Sequence, residues 1–245
     1  MNGVDSFVTK NFGDHDSTFD SCMQVIVNGY SILEKTAKYS RGQILTTIGA
    51  VRGKKAKKVE LEDYLRNDLV EKYINPYRID FLLDNFMFIS GAEEFENNIK
   101  TGILDIKVCS PTLDGTVYYV FECKRMNKTI ENNYITEGVA RFISGQYYPH
   151  SDVAIAGLIS FLETDSETNK IAINTSFNTY SNLFKKYETS LEIIKPLKKH
   201  KLNSSCHNYI NEFNFVYSSS HKRKRGKSGI DLYHIVLDYN HLVVA

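Results

Sequence analysis

Between Val59 and Ile74, apolar side chains at Leu61, Leu65, Leu69 and Tyr73 recur every fourth residue. That spacing lays a single apolar stripe along a helix. VELEDYLRNDLVEKYI is therefore predicted helical, ending at Asn75-Pro76 because the residue before a proline is pushed out of the α region. An apolar face of Val25, Ile26, Ile32 and Leu33 predicts an earlier helix from Cys22 to about Ala37. Residues 1–20 are polar and aperiodic and read as a loose arm, and RGKKAKKVE reads as an exposed basic loop. Beyond the second helix, an apolar FMFIS and an acidic GAEEFENN precede two strand-like runs, GILDIKVCS and TVYYVFECKRM. Asp114-Gly115 between those runs is a two-residue hairpin signal.

NNYITEGVARFISGQYYP is helical in period, with Ile135, Val139, Phe142 and Ile143 as its apolar stripe and a predicted stop at Pro149. Tyr134, Gly138, Arg141, Gly145 and Tyr148 make a second, glycine-interrupted stripe. VAIAGLISFL is apolar nearly throughout, which suits a strand covered on both faces. IAINT predicts a further strand and Tyr180 to Ile194 an amphipathic helix. Two aromatic strands, NEFNFVYSS and IDLYHIVLDY, flank the loop HKRKRGKSG. There is no internal repeat and no low-complexity linker. The order predicts an α/β fold: helix, mixed central sheet with a hairpin, helix, strand, then an α/β extension.

Composition narrows the class without naming a function. A chain of 245 residues with 42% hydrophobic residues can build one generous domain, taken as 1–245. Lys and Arg number 30 against 29 Asp and Glu, so any affinity for a polyanion must come from local clusters. The four cysteines form no CxxC pair, which fits a reduced compartment better than a disulfide framework or zinc knuckle. No apolar run approaches the ~20 residues needed to span a bilayer, and the N-terminus lacks the order of a signal peptide. The expectation is a cytoplasmic protein without membrane contact. No P-loop is present, so NTP-driven work would need a partner.

The candidate chemistry lies on the two central strands. Charges inside apolar runs are costly to bury unless paired or bound to a metal, yet Asp105, Glu122 and Lys124 all occur there. Residues two apart on a strand share a face, so Glu122 and Lys124 point together while Phe121 and Cys123 point away. With Asp114-Gly115 as the loop, Asp105 falls opposite Lys124 and diagonal to Glu122; a three-residue loop would turn it to the wrong face. Two carboxylates suit Mg²⁺, with Mn²⁺ as a substitute. Such an ion polarises a phosphoryl oxygen and activates a bound water. A neighbouring lysine can orient or deprotonate that water, or stabilise developing negative charge. Taken alone, the three charges read better as a surface ion pair closing the end of a hairpin. A rival copy, Asp84 with Asp105-Ile106-Lys107, is also present.

In its context, this constellation resembles the PD-(D/E)xK, or restriction-endonuclease-like, nuclease superfamily. An acidic helix precedes Asp105 and the Glu122-Cys123-Lys124 motif, and a glycine-containing helix and a buried strand follow. The resemblance covers about residues 58–162, leaving 1–57 as an N-terminal helical arm and 163–245 as a C-terminal extension. Leu104 stands where the family has its proline. The resemblance implies that Asp105, Glu122 and Lys124 are catalytic and that Asp105 and Glu122 hold the metal. Glu62 on the preceding helix would join them, with Asp63 second; as an ordinary solvated helix residue, Glu62 would need no such role. Arg141, on the glycine-lined stripe, could grip a phosphate with its planar fork, and Gln146 and Tyr147 are weaker candidates. Lys222, Arg223, Lys224, Arg225 and Lys227 form a basic hairpin tip suited to a phosphate backbone. Lys54, Lys55, Lys57 and Lys58 form a second basic patch. His221 and His234 fit no ligand spacing and read as structural.

The activity implied is a Mg²⁺-dependent endonuclease cutting DNA, in prokaryotic anti-phage defence or a mobile element. It would act as a homodimer or as the partner subunit of a defence complex. Two other readings stay open: a non-cleaving DNA-binding or scaffold subunit on the same fold, and a nuclease directed at RNA.

Overall fold

The computed structural model describes residues 15–52, 59–96, 99–110, 118–148, 153–202, 213–224 and 229–244. The first helix, α1 (His15–Thr36), starts earlier than the apolar periodicity predicts. Its first turns are recruited by Phe19, which stacks on Phe121 at 5.0 Å and meets Tyr119 edge-on at 5.2 Å. A single phenylalanine among polar neighbours makes no period, so its partners in the sheet decide that turn. Gly29 lets α1 approach the backbone closely: a Cβ there would lie 2.5 Å from the Tyr73 carbonyl oxygen.

Helices α2 (Arg41–Arg52) and α3 (Val59–Asp68) follow. Leu61, Leu65 and Leu69 are fully buried, as their spacing predicts. The helical path does not stop at Pro76. It widens through a π-helical turn (Leu69–Ile74) and then tightens through a 3-10 turn (Asn75–Phe81) before Leu82 ends it in the left-handed region. Proline is tolerated because it opens the 3-10 turn, where its missing N–H costs no bond.

Seven strands form one mixed sheet: β2 (Met87–Glu96), β3 (Ile99–Cys109), β4 (Tyr118–Met126), β5 (Ile155–Leu162), β6 (Ile193–Lys199), β7 (Val216–His221) and β8 (Ile230–Asp238). Their order is β2-β3-β4-β5-β8-β7-β6. β4, β5 and β8 run parallel at the centre, with antiparallel pairings on either side. All eight residues of β5 are buried, as a strand covered on both faces requires. A small parallel pair joins β1 (Tyr39–Ser40) to β9 (Val243–Val244).

β8 lies beside β5, so the last third of the chain completes the same sheet. IAINT is no strand; Ile173–Thr175 is a 3-10 turn leading into α6 (Ser176–Lys186) and α7 (Glu188–Leu191). IIKPLKK, unforeseen from its proline and lysines, is the edge strand β6. An edge is where both residue types are tolerated and where they deter unwanted pairing.

The helix after β4 is built from α4 (Glu131–Asn133), a π-helical turn (Tyr134–Val139) and α5 (Ala140–Ser144). It stops before the predicted end because Gly145 adopts φ 75° and caps it. The chain then folds inward, burying Tyr147 and Tyr148. This helix and α6 cover one face of the sheet, with Tyr134 at 4.8 Å from Tyr180 and Gly138 against Leu158. α1 covers the other face. Beneath the first of these layers Tyr134, His234, Ser219 and His221 form a buried hydrogen-bonded chain ending on the Leu191 carbonyl. Among the described residues no helix is long and apolar enough to cross a membrane.

At the site, the strand register differs from the predicted one. β3 and β4 pair as Ile106↔Phe121 and Lys107↔Val120, two residues from the predicted register, so Asp105 comes next in line with Glu122 and not with Lys124. The shift is even, and side-chain faces repeat every two residues. Asp105 therefore keeps the predicted face. The Asp114-Gly115 turn lies outside the described residues.

Candidate active site

Three elements bring carboxylates to one ammonium. Glu122 and Lys124 stand on the same face of β4, Asp105 arrives from β3, and Glu62 descends from α3. The Lys124 Nζ lies 2.7 Å from Glu122 Oε1, 3.4 Å from Glu62 Oε1 and 3.7 Å from Asp105 Oδ2. It also donates to the Cys123 carbonyl at 2.8 Å. Lys124 is nearly buried and Glu122 has no exposed surface.

Each carboxylate is held by further donors. The Cys123 backbone N–H donates to Asp105 Oδ2 at 2.8 Å, so beyond the last ladder pair the side chain of β3 takes over the bonding to β4. Arg66, one turn after Glu62 on α3, donates to Asp105 Oδ1 at 2.7 Å and also meets Asp63 at 3.0 Å. Glu62 Oε2 accepts the Arg125 backbone N–H at 2.7 Å. Glu122 receives Arg141 Nη1 on Oε1 at 2.8 Å and the Tyr147 hydroxyl on Oε2 at 2.6 Å. Arg141 also donates to the Tyr147 oxygen at 2.8 Å, closing a three-residue ring. Glu62, Asp105 and Glu122 are thus balanced by Lys124, Arg66 and Arg141. Unbalanced charge at this depth would cost several kcal/mol per ion.

The electrostatics follow from burial and neighbours. Burial and the Asp105 carboxylate push the Glu122 pKa up to about 7, against the pull of Lys124 and Arg141. Burial also raises Glu62. For Lys124 burial acts downward, but Glu62, Glu122 and Asp105 outweigh it and hold the amine above the ordinary lysine range. Lys124 is therefore a fixed cation in this arrangement.

The remaining predicted residues divide. Glu62, Asp105, Glu122, Lys124 and Arg141 are brought together. Asp63 turns instead to Arg66. Asp84 is exposed in the turn before β2, and Lys107 lies over the Tyr118 ring at 4.4 Å, so the rival motif does not assemble. Lys222 and Lys224 are exposed, and the Lys224 backbone N–H donates to the Ile143 carbonyl at 2.9 Å, beside the helix that carries Arg141. Arg223 does not project with them. It is 3% exposed, its guanidinium donating to the Val153 carbonyl at 3.2 Å. Arg225, Lys227 and the patch Lys54, Lys55, Lys57 and Lys58 lie outside the described residues.

Sequence reasoning missed Arg66 and passed lightly over Tyr147. Arg66 follows Glu62 by four residues, a same-face spacing that could have flagged it. Behind β4, the fully buried Glu163 pairs with Arg41 and accepts Arg125 Nε at 2.8 Å, anchoring the end of the strand whose backbone holds Glu62. Among the described residues no three His, Cys, Asp or Glu side chains form a ready-made metal cage; the carboxylates converge on Lys124 instead. Compared with protein-family models, curated proteins and solved structures, the chain matches none.

Proposed function

We propose that this protein is a Mg²⁺-dependent nuclease with a restriction-endonuclease-like core that hydrolyses phosphodiester bonds of DNA. The observation that carries the reading is the convergence of Glu62, Asp105 and Glu122, from three separate elements, on Lys124 Nζ. The order α3, antiparallel β2-β3-β4, helix 131–144 and parallel β5 supports it, being the order that the family resemblance implies. All three carboxylates offer the hard oxygen donors Mg²⁺ prefers; Glu122 Oε1 already accepts both Lys124 and Arg141, while at least one oxygen of each carboxylate keeps lone-pair capacity beyond its present bond. Asp105, Glu122 and Glu62 would hold the ion, which when bound polarises a phosphoryl oxygen and lowers the pKa of its water.

The chain's own residues divide the remaining work. Lys124, kept charged by its neighbours, stabilises negative charge developing on the phosphate and is not the proton acceptor. Arg141 spends two of its five N–H donors, both on Nη1, on Glu122 and Tyr147; its side chain is 33% exposed, leaving its other nitrogens to reach a phosphate. Arg66 and Tyr147 orient Asp105 and Glu122. Lys222 and Lys224 extend the cationic surface from the end of α5. A role in anti-phage defence or a mobile element rests on the resemblance alone, and the cytoplasm is proposed from the cysteine pattern.

The test is purified protein with supercoiled plasmid in Mg²⁺ or EDTA, beside a structured RNA and the Lys124→Ala and Asp105→Asn variants. Plasmid cleavage that needs Mg²⁺ and both residues supports the proposal. DNA binding without cleavage would favour the scaffold reading, and RNA cleavage alone would redirect the substrate. Wild-type rates in both variants would refute the site.

A further inference from the structure

We propose that a pocket of about 300 Å³ opening beside Lys124 is a subsite for one unpaired nucleobase of the substrate strand. The inference rests on the nuclease reading and names the kind of strand the site takes.

Glu62 and Lys124 line the pocket, so it adjoins the candidate catalytic cluster; Thr129, Asn133, Glu137 and Asp165 line it with them. Its volume is at the small end for ligand pockets, enough for a single base and far too small for a duplex. Its polar groups fall into two sets. Arg125 is committed to Glu163, and Asn127 Oδ1 accepts the backbone N–H groups of Thr129 and Ile130. Asn169 donates to Asp165 at 2.7 Å. In contrast, the side chains of Thr129, Asn133 and Glu137 have no hydrogen-bond or ionic partner among the described residues. They offer a hydroxyl, an amide and a carboxylate, the donor and acceptor types that read a base edge. Asn133 and Glu137 stand about a turn apart on the helix after β4, where the π-helical turn Tyr134–Val139 sets their spacing. Single π-turns of this kind concentrate at functional sites.

Charge decides which part of a nucleotide enters. Glu137 and Asp165, with Glu62 behind them, repel a phosphate. The pocket therefore takes the uncharged base, while the phosphate stays with Lys124 and Arg141. Carboxylate acceptors pair with exocyclic amino groups, which cytosine, adenine and guanine carry and thymine lacks. A base paired inside a duplex cannot reach such a pocket. It must be unpaired already, or be flipped out at a cost of a few kcal/mol. Gaps, single-stranded ends and mismatches are thus the favoured substrates.

The experiment titrates the full-length protein with dCMP and with dTMP in Ca²⁺ and compares Glu137→Gln and Asn133→Trp. Both positions are exposed, and circular dichroism confirms that the variants fold. Wild type should bind dCMP about tenfold more tightly than dTMP, the scale of one good base contact. Glu137→Gln should erase that preference, and Asn133→Trp, by filling the pocket, should remove dCMP binding. Equal affinity for the two nucleotides, no binding of either, or dCMP binding unchanged by Asn133→Trp would overturn the subsite. Cleavage of plasmid in Mg²⁺ without any base preference defeats the subsite alone. Base preference with no cleavage of any nucleic acid defeats the nuclease reading instead.

Discussion

Replacing Glu122 with Ala should destabilise this protein severely, although sequence alone suggests the opposite. From the sequence, Asp105 and Glu122 are two like charges crowded at a hairpin, and deleting one should relieve repulsion at little cost. In the structure Glu122 is fully buried and receives Lys124, Arg141 and the Tyr147 hydroxyl. Removing its carboxylate leaves a buried ammonium short of its nearest counter-charge, and breaking a buried pair from one side costs roughly 3–5 kcal/mol. It also leaves the Tyr147 hydroxyl without an acceptor, worth about 1–3 kcal/mol and partly counted in that figure. For a chain of this size the loss corresponds to a fall in Tm of about 6–20 °C. Glu122→Gln keeps an oxygen toward Lys124 and Arg141, and its amide can donate to the Tyr147 oxygen, so it should cost less than half as much. Urea unfolding followed by far-ultraviolet circular dichroism measures both. If Glu122→Ala unfolds within about 0.5 kcal/mol of wild type, a change typical of uninvolved surface positions, the buried pairing described here is wrong. Both variants should lose Mg²⁺-dependent cleavage, which separates the stability argument from the catalytic one.

Further outcomes concern the response to pH and the basic loop. Burial, aided by His221, pushes His234 from 6.5 down to about 3, so the folded chain binds fewer protons there and stability is lost as pH falls from 6.5 toward 3, by up to about 1.4 kcal/mol per unit. Glu122, raised from 4.5 to about 7, acts with the opposite sign, contributing stability that grows as pH falls from 7 to 4.5; Glu122→Gln should therefore lose stability on acidification more steeply than wild type, and parallel profiles of urea midpoint against pH would contradict the assignment. At the basic loop, changing Lys222 and Lys224 together to Gln should flatten the slope of log affinity for duplex DNA against log salt by about 1.8, at ~0.9 per phosphate contact. Arg223→Ala should lower Tm and leave that slope alone, and a slope altered only by Arg223→Ala would reverse the reading of the loop.

Local pattern was enough for much of the scaffold. The four-residue spacing of Leu61, Leu65 and Leu69, the apolar run of β5 and the alternation Phe121, Glu122, Cys123, Lys124 each record which side of an element meets the core. Burial on one side is a property that neighbouring residues share, so it survives in the sequence as a period. That alternation also kept Asp105 on the right face when the register moved by two residues, since side-chain direction repeats with the same interval.

What the period could not hold is anything set by a distant partner. The edge strand β6, with Pro196 and its lysines, exists because β7 pairs with it. Glu62 turns toward the cluster, and its neighbour Asp63 toward Arg66, because the Arg125 backbone N–H, 63 residues away, donates to Glu62. Arg223 and Lys224 look alike in HKRKRG, yet one is drawn inward by the Val153 carbonyl and the other stays in solvent. The sequence by itself determined which elements form and which faces they bury, because those follow from apolar periodicity. Only the tertiary structure decided the strand register, the partners of each charge and the pocket beside Lys124, because each depends on groups that chain folding alone brings within hydrogen-bonding range.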